Sequence, residues 1–287
     1  MVESWERNHW LWDPSLYTGS AAFYVRGRVP YPAALADVLV DELDLDGRGR
    51  LLDLGCGPGS LTLLLAPYFD QVIGVDPDEQ MLIEGRREAE AAGITNVSWL
   101  RARAEELSTS LGPFRVATLA QSFHWMDRDR VADLLRQVMS ADGAIAFVHA
   151  TTHQGVDGSA ALPHPRPPRR QIDSLVTQFL GPRRRAGRGY RSADLVTGGE
   201  RGQIEAQVFH RAGFTGPARV ELPGWVTHRS ADEVVASVFS LSYAAPHLFG
   251  DRIGSFEKSL RSLLASTSLT GNFSEEMREI AVDLWVK

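Results

Sequence analysis

A short apolar strand that runs into a glycine-studded turn and then into an apolar helix, LLDLGCGPGSLT at Leu51–Thr62, constrains this chain more than any other stretch. Gly55, Gly57 and Gly59 let the backbone turn tightly and let another group come close to it. The helix that follows aims its unpaired amide groups at whatever lies in front of the turn. Roughly twenty residues further on, a second strand, QVIGVDPDEQML, ends in Asp76, where a carboxylate can accept two neighbouring ribose hydroxyls. Together the two segments describe a pocket for a nucleoside-like ligand.

The rhythm around that pocket sets the fold class. Apolar residues at helical spacing over Tyr31–Leu45, with Pro32 near the start, predict a helix. Strands are predicted over Arg50–Leu54, Gln71–Val75, Val97–Arg101, Arg115–Ala120 and Gly143–Val148, with helices over Ser60–Ala66, Glu79–Ala92 and Arg128–Met139 between them. Such alternation with short links means a mostly parallel sheet covered on both faces, with ligands bound beyond the carboxyl ends of its strands.

After His149 the rhythm breaks. ALPHPRPPRR and GPRRRAGRGYR, with amphipathic Gln171–Leu180 between them, are too rich in proline and arginine for sheet core. We read residues 151–200 as an inserted cap over the strand ends. Residues 1–150 are then an opening arm plus the ligand-binding core, and 201–287 are the rest of the core with accessory helices. Helices are predicted over Gln203–Ala212, Ala231–Leu241 (with Ser230 and Glu233 as a capping box) and Asp251–Ala265, and a strand over Ala218–Leu222. Ile280–Val286 alternates as a strand would, although Ser274 and the glutamates after it could equally open a helix.

Composition excludes several classes of function. The 287 residues, 44% of them apolar, suffice for one large α/β unit with an insertion. No apolar run is long enough to span a bilayer, and the opening MVESWERNHWLWDP, with Glu3 and Glu6, lacks the apolar core of a secretory leader. The single cysteine, Cys56, rules out an intrachain disulfide and suits a reducing, cytoplasmic setting. A net charge of −6 argues against nucleic acid as a partner, and a membrane partner is not expected either. Whether the chain acts as a monomer or a dimer is left open by the sequence.

A dinucleotide-binding oxidoreductase is the natural rival. It calls for G-x-G-x-x-G with the third glycine at position 60, where this chain has Ser60 and places Gly59 one residue earlier. The pattern D-x-G-x-G-x-G, starting at Asp53, instead resembles the first motif of the class I S-adenosylmethionine-dependent methyltransferases. AAFYVRGRVPYP and AQSFHWMDRDR are similar to segments of the small-molecule, type 11 group of that family. In the first, Val29 splits the group's usual Arg-Pro pair; in the second, ADGAIAF follows where Pro-Gly-Gly is common.

The resemblance implies a Rossmann-like, seven-stranded, mostly parallel sheet and S-adenosyl-L-methionine as the cofactor. Asp53, Gly55, Cys56, Gly57 and Gly59 would hold its methionine end, with Tyr24 over the sulfonium and Arg28 near the carboxylate. Asp76, with adjoining Pro77, would take the ribose. Met81, Ala104 and Glu105 would meet the adenine, although Arg103 stands where the family often has an aspartate. Gln121, Ser122, His124 and Trp125 would face donor and acceptor. The acceptor would be a small molecule methylated on oxygen or nitrogen, as in the secondary-metabolite enzymes of the group. A non-catalytic regulatory protein that keeps the cofactor pocket is an alternative.

Methyl transfer from a sulfonium is an in-line displacement in which the protein aligns the partners and sets the nucleophile's protonation. His124 is the candidate base, since imidazole titrates near neutrality; its alternative is a neutral ring packed with Trp125. Tyr31 and Trp125 are candidate walls of the acceptor site, and Tyr24 and Arg28 are alternatively surface residues of the arm. In the cap, Arg169, Arg170, Arg183, Arg184, Arg185 and Arg188 would either attract an anionic substrate or form a solvated loop. His149, His153, His164 and Asp157 lack the spacing of a compact metal motif.

Overall fold

The computed structural model describes residues 13–158, 160–186, 189–192 and 199–287. The chain begins with two helices, α1 (Ala21–Gly27) and α2 (Ala33–Glu42), and then enters the predicted alternation. This runs β1 (Arg50–Leu54), α3 (Ser60–Leu65), β2 (Gln71–Asp76), α4 (Glu79–Ala91), β3 (Val97–Arg101), β4 (Phe114–Ala120), α5 (Arg128–Val138) and β5 (Met139–His149). Next come α6 (Arg169–Leu180), a two-stranded ribbon β6 (Arg183–Ala186) and β7 (Gly189–Ser192), α7 (Gly199–Arg211) and β8 (Thr215–Leu222). The last elements are β9 (Val226–Ser230), α8 (Ala231–Phe239), α9 (Pro246–Phe249), α10 (Ile253–Thr267), β10 (Asn272–Glu276) and β11 (Ile280–Val286).

Seven of these strands form one sheet in the order β3-β2-β1-β4-β5-β11-β8. The first five are parallel, and β11 runs antiparallel to both β5 and β8. Leu35, Leu39, Leu61 and Leu65 of α2 and α3 pack on one face. Val131, Leu135, Val208 and Phe209 of α5 and α7 pack on the other. The chain order reverses between β1 and β4, which opens a crevice at the carboxyl ends of those strands.

A third core stands apart from the two sheet faces. Ile172 and Val176 of α6 join Val235, Phe239, Phe249, Phe256 and Leu260 of α8–α10. Every residue from Val234 to Phe239 is buried, so this part of α8 is enclosed on all sides and central to the layer. The layer is assembled from two excursions, one following β5 and one lying between the neighbouring strands β8 and β11. Helix α1 joins it at close range: a Cβ on Gly27 would sit 2.3 Å from the backbone of Ala236.

The predicted sheet strands are present; the fifth starts at Met139 rather than Gly143 because the Asp142–Gly143 corner is accommodated as an irregularity in its pairing with β4. The predicted capping box of Ser230 and Glu233 is formed. Ile280–Val286 is a strand. Ser274 opens no helix: it lies inside β10, fully buried and paired opposite His228 of β9. The pairs β9–β10 and β6–β7 were not foreseen, since each is too short and too polar to show a period. The opening segment read for a leader and Arg188 lie outside the described residues. No helix among the described residues is long and apolar enough to cross a membrane.

Candidate active site

Backbone hydrogen bonds lock the glycine turn to the second strand. The amides of Gly55 and Cys56 both donate to the carbonyl of Val75, at 2.8 and 3.0 Å. Asp76 closes the junction, accepting the Gly57 amide on one oxygen and the Asp78 amide on the other, each at 2.9 Å. Burial pushes the Asp76 carboxyl up to about 7, against the lowering effect of those two amides.

The turn's glycines have different physical reasons. Gly59, at φ +82°, leaves room for Trp99: a Cβ there would lie 2.3 Å from the indole. Gly57, at φ +55°, faces open space, with no atom within 4 Å of a would-be Cβ. One position therefore serves packing and the other keeps a surface clear for a ligand.

Asp53 lies beneath the turn, 2% exposed. The sequence suggests loop amides or a ligand's ammonium as its partners. In the structure its oxygens accept from the hydroxyls of Thr62, at 2.5 Å, and Thr118, at 2.7 Å. Burial raises its pKa despite these bonds. Ser122 donates to the Leu54 carbonyl at 2.6 Å, pinning the loop after β4 to the end of β1. Gln121, beside it, is a non-glycine residue at φ +56°, a conformation that costs on the order of 1 kcal/mol and clusters at functional sites.

Two adjoining cavities fill the crevice. The larger, about 670 Å³ including its open mouth, is lined by Gly55, Gly57, Asp76, Pro77, Met81, Ala104, Glu105, Gln121, Ser122 and Trp125, with Tyr24 at its edge. The smaller, about 400 Å³, is lined by Arg28, Tyr31, Asp53, Cys56 and Ser60, and shares Tyr24, Gly55 and Ala120 with the first. Gly59 lines neither, consistent with its packing role. Glu105 accepts the Asp127 amide at 2.7 Å, which ties the floor of the larger cavity to the start of α5. Burial, followed by the nearby acidic residues Asp76 and Asp53, pushes the Cys56 thiol up, away from nucleophilic use.

Tyr17 was missed by sequence reasoning. It meets Tyr24 edge-on at 6.3 Å and Trp125 at 6.2 Å between ring centroids, so three rings wall the larger cavity. Only its proximity to the AAFYVRG segment could have flagged it. His124 shares a tight turn with Trp125, 4.9 Å away between ring centroids, and lines neither cavity. The preceding residue, Phe123, anchors that turn by stacking on Phe209 at 5.1 Å.

Three of the cap arginines are engaged by acidic side chains of the chain itself. Arg169 grips buried Glu275 with two bonds, at 2.9 and 2.7 Å. Arg170 pairs with Asp157, and Arg184 with Asp173 while it stacks on Tyr243.

A switch-point crevice with a glycine turn and a strand-end carboxylate defines a class, and comparison agrees with it. Residues 51–142 match the family model described as a methyltransferase domain. These residues are similar to a methyltransferase domain, and the sheet with its flanking helices has the Rossmann-like fold of the class I methyltransferases. It is 30% identical over 145 residues to a probable S-adenosylmethionine-dependent methyltransferase, CRG1, of Saccharomyces cerevisiae, covering 50% of this chain and 49% of that one. It is 33% identical over 140 residues to the uncharacterized methyltransferase Rv3342 of Mycobacterium tuberculosis, covering 48% and 54%. The chain thus spans about half the length of these relatives. The crystal structure of YcgJ from Bacillus subtilis aligns with 89% of this chain and 99% of its own, at 18% identity and a TM-score of 0.49.

Proposed function

We propose that the chain transfers a methyl group from S-adenosyl-L-methionine to an oxygen or nitrogen of a small molecule. The observation that carries this reading is the meeting of Gly57 and Asp76 at one cavity. A backbone kept clear of side chains faces a buried carboxylate whose charged form would gain from two donated hydroxyls. Asp76 and Pro77 would hold the ribose, and Met81, Ala104 and Glu105 the adenine. Gly55, Cys56 and Arg28, around the smaller cavity, would hold the methionine end, with Gln121 and Ser122 beside the join. Ser60 and the six-residue α3 offer no counterpart to the third glycine of a dinucleotide site.

When bound, the cofactor supplies an electrophilic methyl carbon on a sulfonium. The chain's own part is to orient and enclose. Tyr17, Tyr24 and Trp125 exclude water and offer aromatic faces to a cation. Tyr31 and Trp125 serve as acceptor walls. His124 acts as the acceptor's base only where the acceptor lies over Trp125, since its ring is outside both cavities. We extend the cap from residues 151–200 to include the layer of α8–α10, which covers the acceptor side. The acidic chain suits a small acceptor rather than nucleic acid, in a cytoplasmic setting.

The test is transfer itself. Methyl-labelled cofactor incubated with the protein and a fractionated small-molecule extract should yield label in an extract compound. His124→Ala should lower that turnover more than it lowers cofactor affinity. Tight cofactor binding with no label transferred would replace the enzyme reading with that of a cofactor-binding regulatory protein.

A further inference from the structure

The smaller cavity holds one cation among its lining residues, Arg28, and one carboxylate, Asp53. Both Asp53 oxygens already accept threonine hydroxyls, so Arg28 is the charged side chain with which this cavity can meet an anion. Its guanidinium has five N–H donors in a fixed plane. Nε donates to Ser240 Oγ at 2.9 Å, and one terminal nitrogen donates to the Ser240 carbonyl at 3.0 Å. The other terminal nitrogen lies 3.5 Å from His153 Nδ1. The plane rests over the Tyr24 ring, 4.4 Å from its centroid. Ser240 thus takes one edge of the fork with two bonds and leaves donors for a ligand.

Ser240 is itself fixed. It is fully buried at the end of α8, and its hydroxyl donates to the Ser237 carbonyl at 2.7 Å, which turns a lone pair toward Arg28. Ser237 in turn accepts from Arg169 at 3.0 Å, and Arg169 is clamped by Glu275. His153 stands behind the guanidinium; burial, then Arg28, Arg169 and Arg229, hold its pKa well below the usual value. The ring is therefore neutral, and Nδ1 can accept. A sequence search for cofactor residues has no reason to reach Ser240, which lies in the helical layer 212 residues from Arg28.

We infer that Ser240 is a positioning residue for the donor site, setting the aim of Arg28 at the α-carboxylate of the methionine end. This rests on the proposed use of S-adenosylmethionine, and it makes the inserted helical layer part of the cofactor's holder. A serine to alanine change removes the hydroxyl's bonds to Arg28 and to the Ser237 carbonyl and leaves the backbone bond to Arg28 in place. The guanidinium is then free to pivot, and the carboxylate loses a fixed partner rather than all attraction.

The test is calorimetry on the full chain with two probes, S-adenosylhomocysteine and the same thioether lacking its α-carboxylate. Wild type should bind the carboxylated probe more tightly. Ser240→Ala should weaken the carboxylated probe on the order of fivefold, the size of one ordinary hydrogen bond's net contribution, and leave the decarboxylated probe unchanged. In an Arg28→Ala background, Ser240→Ala should have no further effect. Ser240→Cys, close in shape and a weak acceptor, should show a smaller loss of the same kind and serves if the alanine variant does not fold. Equal loss for both probes, or loss for neither, would overturn the positioning role. Equal wild-type affinity for the two probes would overturn it through Arg28 and leave the donor reading intact. Wild type binding neither probe would overturn both.

Discussion

The switch-point crevice and the helical layer are built by different physics. The crevice is local: residues 53–62 and 71–78 place two carboxylates, a cleared turn and a helix start through short-range hydrogen bonds. The layer is long-range: α6 packs on helices that arrive only after β8, and its polar heart joins Arg169, Arg229 and Glu275 from three separate elements. A turn announces itself in a dozen residues, whereas a layer of this kind announces only that some helices are apolar. The two regions nonetheless meet at Gly27, Arg28 and Ser240.

The largest effect is expected in the layer. Glu275 is 3% exposed and accepts from Arg169 and Arg229. Glu275→Gln leaves two buried guanidinium groups without their counter-charge and should cost about 3 kcal/mol in denaturant unfolding. Burial alone would raise the Glu275 pKa, but the two arginines outweigh it and hold the carboxyl below the usual range. Its contribution is therefore present above the ordinary carboxylate pKa and is lost as pH falls through the folded value. Wild type should lose stability more steeply in acid than the variant, and parallel acid curves would show the network to be weak.

Within the turn, two substitutions of the same kind should separate. Gly59→Ala drives a Cβ into Trp99 at a left-handed position and should cost about 3 kcal/mol of stability. Gly57→Ala meets no atom and should cost only about 1 kcal/mol of backbone strain. It should still weaken cofactor binding by about tenfold, because its methyl occupies the cleared surface. Thermal unfolding and calorimetry on both variants check this. If both lose stability equally and neither loses affinity, the division of labour in the turn is wrong.

Sequence reached this far for identifiable reasons. The turn, Asp76 and the parallel order were legible because strand-turn-helix chemistry is written in consecutive residues. Ser240, Arg229 and Glu275 were not, because a buried ion pair looks in sequence like any surface arginine or glutamate. Tyr17 was illegible for the same reason: one aromatic residue has no period. The cap arginines left two readings open, since a dense basic run carries no sign of which members will fold onto a carboxylate.

A smaller and more graded effect concerns Asp76. With its carboxyl pushed up to about 7 by burial, the carboxylate of the ligand-free protein should be incompletely ionised near neutrality. Ribose hydroxyls would donate to the charged form, so affinity should rise with pH up to about 7 and then level off. In the absence of ligand, the raised pKa contributes stability below about 4 that is lost as pH rises through about 7. Asp76→Asn should flatten the pH dependence of binding. An unchanged slope in that variant would assign the titration to another group.

The central claim is that this crevice takes a methyl donor rather than a hydride donor, and calorimetry on the wild-type chain tests it most directly. S-adenosylmethionine and S-adenosylhomocysteine should bind with one site per chain, and NADH should show no comparable heat. Binding of NADH with neither adenosyl thioether nor sulfonium bound would contradict the account.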